Sequence, residues 1–184
     1  TIPIGMGFNK ANPALREQFN EFLARIKQDG TFDDLVKRWV RDGNHAMPEI
    51  PNPKTNGVLV VGYVSDKGLP FTVMENGKPI GIDVELAERF AAYLGKALKL
   101  QDMEFGALIM AVSSNKIDMI SSTLMITEDR KKQIDFSDPY MRLGASVFTL
   151  QSNLYGNQPN LESDGWSLSG LWSNISESFY NNII

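Results

Sequence analysis

The chain has 184 residues, 42% hydrophobic and 22% charged, with a formal net charge of −4. That length suits one sizeable domain or two small ones, the proportions are those of a globular protein, and the charge leaves no nucleic-acid footprint. With no cysteine and a single histidine, His45, disulfides and thiol catalysis are excluded, and His-based catalysis or a His-rich metal site is disfavoured. No window reaches the roughly 18 apolar residues of a membrane-spanning helix. The chain opens Thr1-Ile2-Pro3, without an initiator Met or a charged start, and on that ground reads as a piece of a longer product.

Ile4-Gly5-Met6-Gly7-Phe8 is short and apolar and is expected to be a buried strand. Asn12-Pro13 supplies a helix cap and a first-turn proline. Leu15, Phe19, Phe22, Leu23 and Ile26 follow at helical spacing, and Gly30 is the stop. Thr31 with Asp34 resembles a capping box for a second helix, whose stripe is Phe32, Leu35, Val36 and Trp39. From 42 to 57 the pattern gives way to Pro48, Pro51 and Pro53, an extended linker. His45 falls there and reads as a solvated loop residue.

Residues 58–64 are continuously apolar and predict a central strand covered on both faces. Two short runs flank Asn76-Gly77, a strong hairpin signal because both residues tolerate positive φ. Asp83 opens a helix with Val84, Ala87, Phe90, Ala91 and Leu94 inward and Gly95 as its end. A strand is expected from Leu98, a helix from Phe105, and a short strand at 118–121 leading into a polar loop at Ser122-Thr123. Thr127 caps a brief charged helix, and 146–150 predict a last strand. The tail is polar to Gly165. Beyond it Leu168, Leu171, Trp172, Ile175, Phe179 and Ile183 form an amphipathic helix, suited to a membrane interface, a partner groove or its own domain. Alternating strands and helices predict an α/β domain with a largely parallel sheet, whose ligands sit beyond the carboxyl ends of the strands.

Two motifs carry a family resemblance. They are Asn76-Gly77-Lys78-Pro79-Ile80-Gly81-Ile82-Asp83-Val84 and the run from Thr127-Glu128-Asp129-Arg130 to Asp135-Phe136-Ser137-Asp138-Pro139-Tyr140. Together they resemble the amino-acid-type extracytoplasmic solute-binding proteins, the periplasmic-binding-protein type II fold that feeds polar amino acid ABC importers. The order is unusual. Residues 58–152 look like the N-terminal half of the family's first lobe. Residues 1–41 look like its C-terminal end, with Gly5-Met6-Gly7-Phe8-Asn9-Lys10 as the returning strand and Lys37-Arg38-Trp39 in the closing helix. The resemblance implies a single lobe with segments in circularly permuted order and the second lobe missing. The same order also fits the end of one binding domain followed by the start of another; one compact lobe is the expectation. The linker is 42–57. Residues 153–184 resemble the approach to a fused permease domain, which implies an extracytoplasmic or periplasmic, membrane-tethered module.

The family holds its ligand's carboxylate with an arginine, whose planar fork grips two oxygens at once. Arg130 matches that position. Phe105 matches the pocket aromatic, and Thr123 the small residue that presents its backbone to the ligand. Met125 stands where the family carries a hydroxyl. Ser65 and Gly68 stand where it carries a polar or acidic group and an aromatic, with Asp66 one position off. The resemblance implies a polar amino acid as ligand and an ABC permease as partner, with no cofactor, no metal and no catalytic residue. Asp135 to Tyr140 is expected to be structural, with Phe136 and Tyr140 packing. Two other readings stay open. One is a lobe that has lost its ligand and docks on a permease. The other is a dehydratase-like enzyme on the same fold, for which Glu128, Asp129 and Asp135 are the available acids.

Overall fold

The computed structural model describes residues 1–144; the expected strand at 146–150 and the tail helix lie outside the described residues. The framework is a sheet built from β1 (Ile2–Phe8), β2 (Val58–Tyr63), β5 (Ala97–Asp102), β6 (Met119–Met125), β7 (Asp135–Phe136) and β8 (Met141–Leu143). Its order is β5-β2-β6-β1-β7, with β8 also paired to β1. Strand β2 runs parallel to β5 and β6, whereas β1 runs antiparallel to β6, β7 and β8. Among the described strands of this sheet, β1 alone therefore opposes the common direction. A separate hairpin, β3 (Val73–Glu75) and β4 (Lys78–Ile80), turns at Asn76 and Gly77 with φ of 49° and 75°, the left-handed pair that this turn requires.

The helices form where local signals place them. Helix α1 (Pro13–Gln28) starts with Asn12 accepting from the Leu15 N–H and Pro13 in its first turn. Gly30 follows its end at a φ of 85°. The capping box expected at Thr31 does not form. Helix α2 (Thr31–Val36) has Gly30 as its N-cap, Asp34 N–H donates to the Gly30 carbonyl, and the Asp29 carboxylate accepts from Thr31 N–H. The preceding αL glycine sets the turn, so Thr31 lies inside the helix. A π-helical turn (Lys37–Arg41) continues it and buries Trp39. His45 is half-buried, its ring stacked on Trp39 at 5.9 Å, which corrects the expectation of a solvated loop residue. Helix α3 (Ile82–Leu94) ends at Gly95 in the αL conformation. Helices α4 (Phe105–Ser113) and α5 (Glu128–Lys131) complete the set.

Strand alternation feeds two cores, one on each face of the sheet. Ile4, Met6, Phe8, Leu59, Val61 and Met119 face helices α1, α2 and α3. Phe8, Phe19, Phe22 and Phe90 meet there with ring centroids 5.0 to 5.9 Å apart, joining β1, α1 and α3 through tilted and edge-on contacts. On the other face Ile120, Leu124, Ile117 and Ile134 pack on Leu108, Ala111 and Val112 of α4.

The expected polar loop at Ser122-Thr123 is strand instead. β6 runs on to Met125, and its register with β1 shifts: Gly5 pairs with Leu124 but Gly7 with Ile120. Three residues of β6 thus oppose Met6 alone, and Thr123 takes a φ of 49° within this bulge. Strands β7 and β8 were not expected. They are two and three residues long and exist through their pairing with β1.

Candidate functional site

Strands β2, β5 and β6 end at one edge of the sheet, and their following segments meet there. Met103 N–H donates to the Tyr63 carbonyl, Ser65 N–H to Asp102 Oδ1, and Val64 N–H to Ser122 Oγ. This is the edge at which a parallel α/β sheet presents ligand-binding groups.

Arg130 sits in α5, where Thr127 caps the helix by accepting from the Arg130 N–H. Its guanidinium carbon lies 5.1 Å from the Phe105 ring centroid, and Nη1 donates to the Met125 carbonyl at 2.8 Å. The rest of its donor fork has no acceptor among the described residues. In particular Arg130 forms no ion pair there with Glu128, Asp135 or Asp138. Glu128 pairs with Lys131, Asp129 with Lys132, and Asp135 with Lys10 and Arg16. Those three carboxylates are thus dispersed on separate cations and do not converge as an acid–base group.

Phe105 is the first residue of α4. A second cation reaches it: Lys67 Nζ stands 4.2 Å from the ring centroid. Met125 offers its carbonyl to Arg130, while its half-buried side chain packs against the main core. Thr123 Oγ1 donates to Asp83 Oδ2 at 2.7 Å, so its hydroxyl is turned into the fold. Ser65 is half-buried and Asp66 is exposed. Gly68 turns the loop at a φ of 86°, donating its N–H to the Thr72 carbonyl. The fold therefore brings Arg130, Phe105 and Met125 into contact, with Ser65, Asp66 and Gly68 on the adjoining loop.

Sequence reasoning missed Lys67 and the layer beneath the site. Asp83, at the start of α3 and 1% exposed, accepts from Tyr140 Oη at 2.6 Å as well as from Thr123. Ser121 Oγ donates to the Asp83 carbonyl. Burial raises the Asp83 carboxyl from 3.8 to about 6, while the hydrogen bonds from Tyr140 and Thr123, and more weakly the Lys67 charge, oppose that rise. Burial and the neighbouring Asp83 push the Tyr140 phenol well above its ordinary value, keeping it a donor. An acidic residue following Gly81-Ile82 was legible only as a helix start; nothing local marks its partners 40 and 57 residues away. A groove of about 470 Å³ lies elsewhere, lined by Lys10, Arg16, Lys131 and Arg142 beside Asp135. Among the described residues no cluster of His, Asp or Glu could hold a metal ion, and no helix is long and apolar enough to cross a membrane.

The carboxyl edge of this mostly parallel α/β lobe thus carries an arginine with an aromatic beside it. Residues 59–161 match the family described as bacterial extracellular solute-binding proteins, family 3, and the chain belongs to that family. It is 42% identical over 82 residues to the arginine-binding extracellular protein ArtP of Bacillus subtilis, covering 45% of this chain and 32% of that protein. It is 33% identical over 85 residues to the membrane-bound lytic murein transglycosylase F of Actinobacillus succinogenes, covering 46% and 17%. Among solved structures it is similar to the arginine-bound form of domain 1 from TmArgBP, with 45% identity, a TM-score of 0.47, and coverage of 53% of this chain and 77% of that one. The chain spans between 32% and 40% of the length of the first curated relatives it matches.

Proposed function

We propose that this chain is an amino-acid-binding lobe of an ABC importer's solute-binding protein, acting without catalysis. Arg130 takes the ligand carboxylate, Phe105 lines the side-chain seat, and Thr123 presents its backbone. Ser65, Asp66 and Gly68 form the facing loop. The observation that carries this reading is the guanidinium on Phe105 at the sheet edge with most of its donors unengaged among the described residues, in a chain of this family. A guanidinium so placed suits bidentate carboxylate recognition. Residues 1–41 and 58–152 make up the lobe in permuted order, joined by 42–57. Residues 153–184 lead toward a permease on the same polypeptide, outside the cytoplasm. A photo-crosslinker at Trp172 that captures no permease in native membranes would remove that last part.

Isothermal titration with a mixture of the twenty amino acids tests the binding reading. A single lobe contacts its ligand on one side, so a dissociation constant on the order of 1 mM is expected. Arg130→Ala is expected to abolish the heat. Absence of heat from the unaltered chain at tens of millimolar ligand, roughly an order of magnitude above that constant, would sink the reading in favour of a ligand-free docking lobe. Product formation from prephenate or arogenate would instead favour the enzyme.

A further inference from the structure

Lys67 brings a second cation to this edge. Its ammonium and the Arg130 guanidinium lie 4.2 and 5.1 Å from the centroid of the same Phe105 ring. Each is attracted by the ring's quadrupole, but the two charges repel one another. Among the described residues neither forms an ion pair with a carboxylate. The acidic groups nearby do not supply one. Asp83 exerts a field on Lys67, yet it is buried, with its oxygens engaged by Tyr140 and Thr123. Asp102 turns Oδ1 to the Ser65 N–H, and Asp66 and Glu104 are exposed on the rim. Helix α4 also begins at Phe105 without a side-chain cap, so its first N–H groups add partial positive charge at the same edge.

We propose that Lys67 is a second anion-holding residue of this site and that the site takes an amino acid with an acidic side chain. This rests on the amino-acid reading above. Arg130 holds the ligand's α-carboxylate and Lys67 its side-chain carboxylate. An acidic ligand whose two carboxylates pair with the two cations offsets their repulsion. A cationic side chain meets the opposite situation, because it brings a third positive charge to a ring that already holds two cations. The assignment separates this chain from ArtP, a relative named for arginine. It also turns on one position, because the loop's flanking residues Asp66 and Gly68 carry no cation.

The test is an amide chemical-shift titration of the full chain with L-glutamate, L-aspartate, L-glutamine and L-arginine at low ionic strength, repeated on Lys67→Ala and Arg130→Ala. Glutamine has nearly the shape of glutamate without the charge. We expect an acidic amino acid to bind about tenfold more tightly than glutamine, the scale of one charge-assisted contact, and arginine to bind most weakly. Lys67→Ala should bring glutamate and glutamine within about twofold and improve arginine, and added salt should compress the wild-type preference. If glutamine or arginine binds the wild type as tightly as either acidic ligand, with binding still lost in Arg130→Ala, this inference fails and the amino-acid reading stands. A glutamate-to-glutamine ratio unchanged in Lys67→Ala also overturns it. If no amino acid binds, both fall together. Lys67 lies on a surface loop outside both cores, so its removal leaves the fold in place.

Discussion

At the scale of single residues, Asp83 accepts from Tyr140 and Thr123 with almost no access to water. A carboxyl held near 6 when folded and 3.8 otherwise binds its proton more tightly in the native state. The favourable contribution is therefore complete below about pH 4 and disappears as pH rises through 6. The shift corresponds to about 3 kcal/mol. Denaturant unfolding of the wild type and Asp83→Asn across pH 3.5 to 7 reads it directly. The wild type should lose about that amount relative to the variant over the interval, and parallel curves would refute the linkage. Gly81 is a second residue-scale constraint. Its φ is 134°, and a Cβ there would sit 2.0 Å from the Phe71 carbonyl oxygen. Gly81→Ala should lower the urea midpoint by the equivalent of at least about 2 kcal/mol, because both the backbone conformation and the clash oppose it.

At the scale of elements, one buried carboxylate fastens the N-terminal helices to α3. Glu85 is fully buried and accepts from Arg38 at 2.7 and 3.3 Å, from Arg89 at 2.9 Å and from the Trp39 indole at 2.6 Å. Glu85→Ala would leave Arg89 and the Trp39 indole N–H without this acceptor and Arg38 with Asp34 alone. Removing one partner from such a set costs more than the set is worth against an apolar replacement. A loss of about 3 kcal/mol is expected by urea unfolding, and a change under 1 kcal/mol would show that Asp34 and water satisfy the two guanidinium groups instead. Elements marked by neighbouring residues were legible from the sequence: the Asn12-Pro13 start, the Asn76-Gly77 hairpin, the Gly95 stop and the Thr127 cap all rest on chemistry within one turn. Elements defined by distant partners were not. β7 and β8 are too short to show a period, and the bulge that keeps Thr123 within β6 answers to Met6, more than a hundred residues away.

At the scale of the molecule, the N-terminal strand completes a sheet made mostly by the rest of the chain. β1 separates β6 from β7 and β8, and Ile4, Met6 and Phe8 are wholly buried. Without residues 1–41 the chain would bare apolar surface on β6 and α3 and leave β7 and β8 unpaired. Such a truncation should bind a hydrophobic dye and lose its cooperative thermal transition, whereas a sharp transition near the full chain's would show that the lobe stands alone. The candidate site was legible in part for a related reason. Arg130 and Phe105 could be matched to a pattern, and the fold places them in contact. No neighbouring residue marks Lys67 in the sequence, and its approach to Phe105 comes from the path of its loop.

The placement of β1 also sets an order of events during synthesis. The strand leaves the ribosome before its partners, which are Met119–Met125, Asp135–Phe136 and Met141–Leu143. At the ordinary pace of translation the interval is on the order of ten seconds. Throughout it, a nascent apolar strand waits for its neighbours with both edges open.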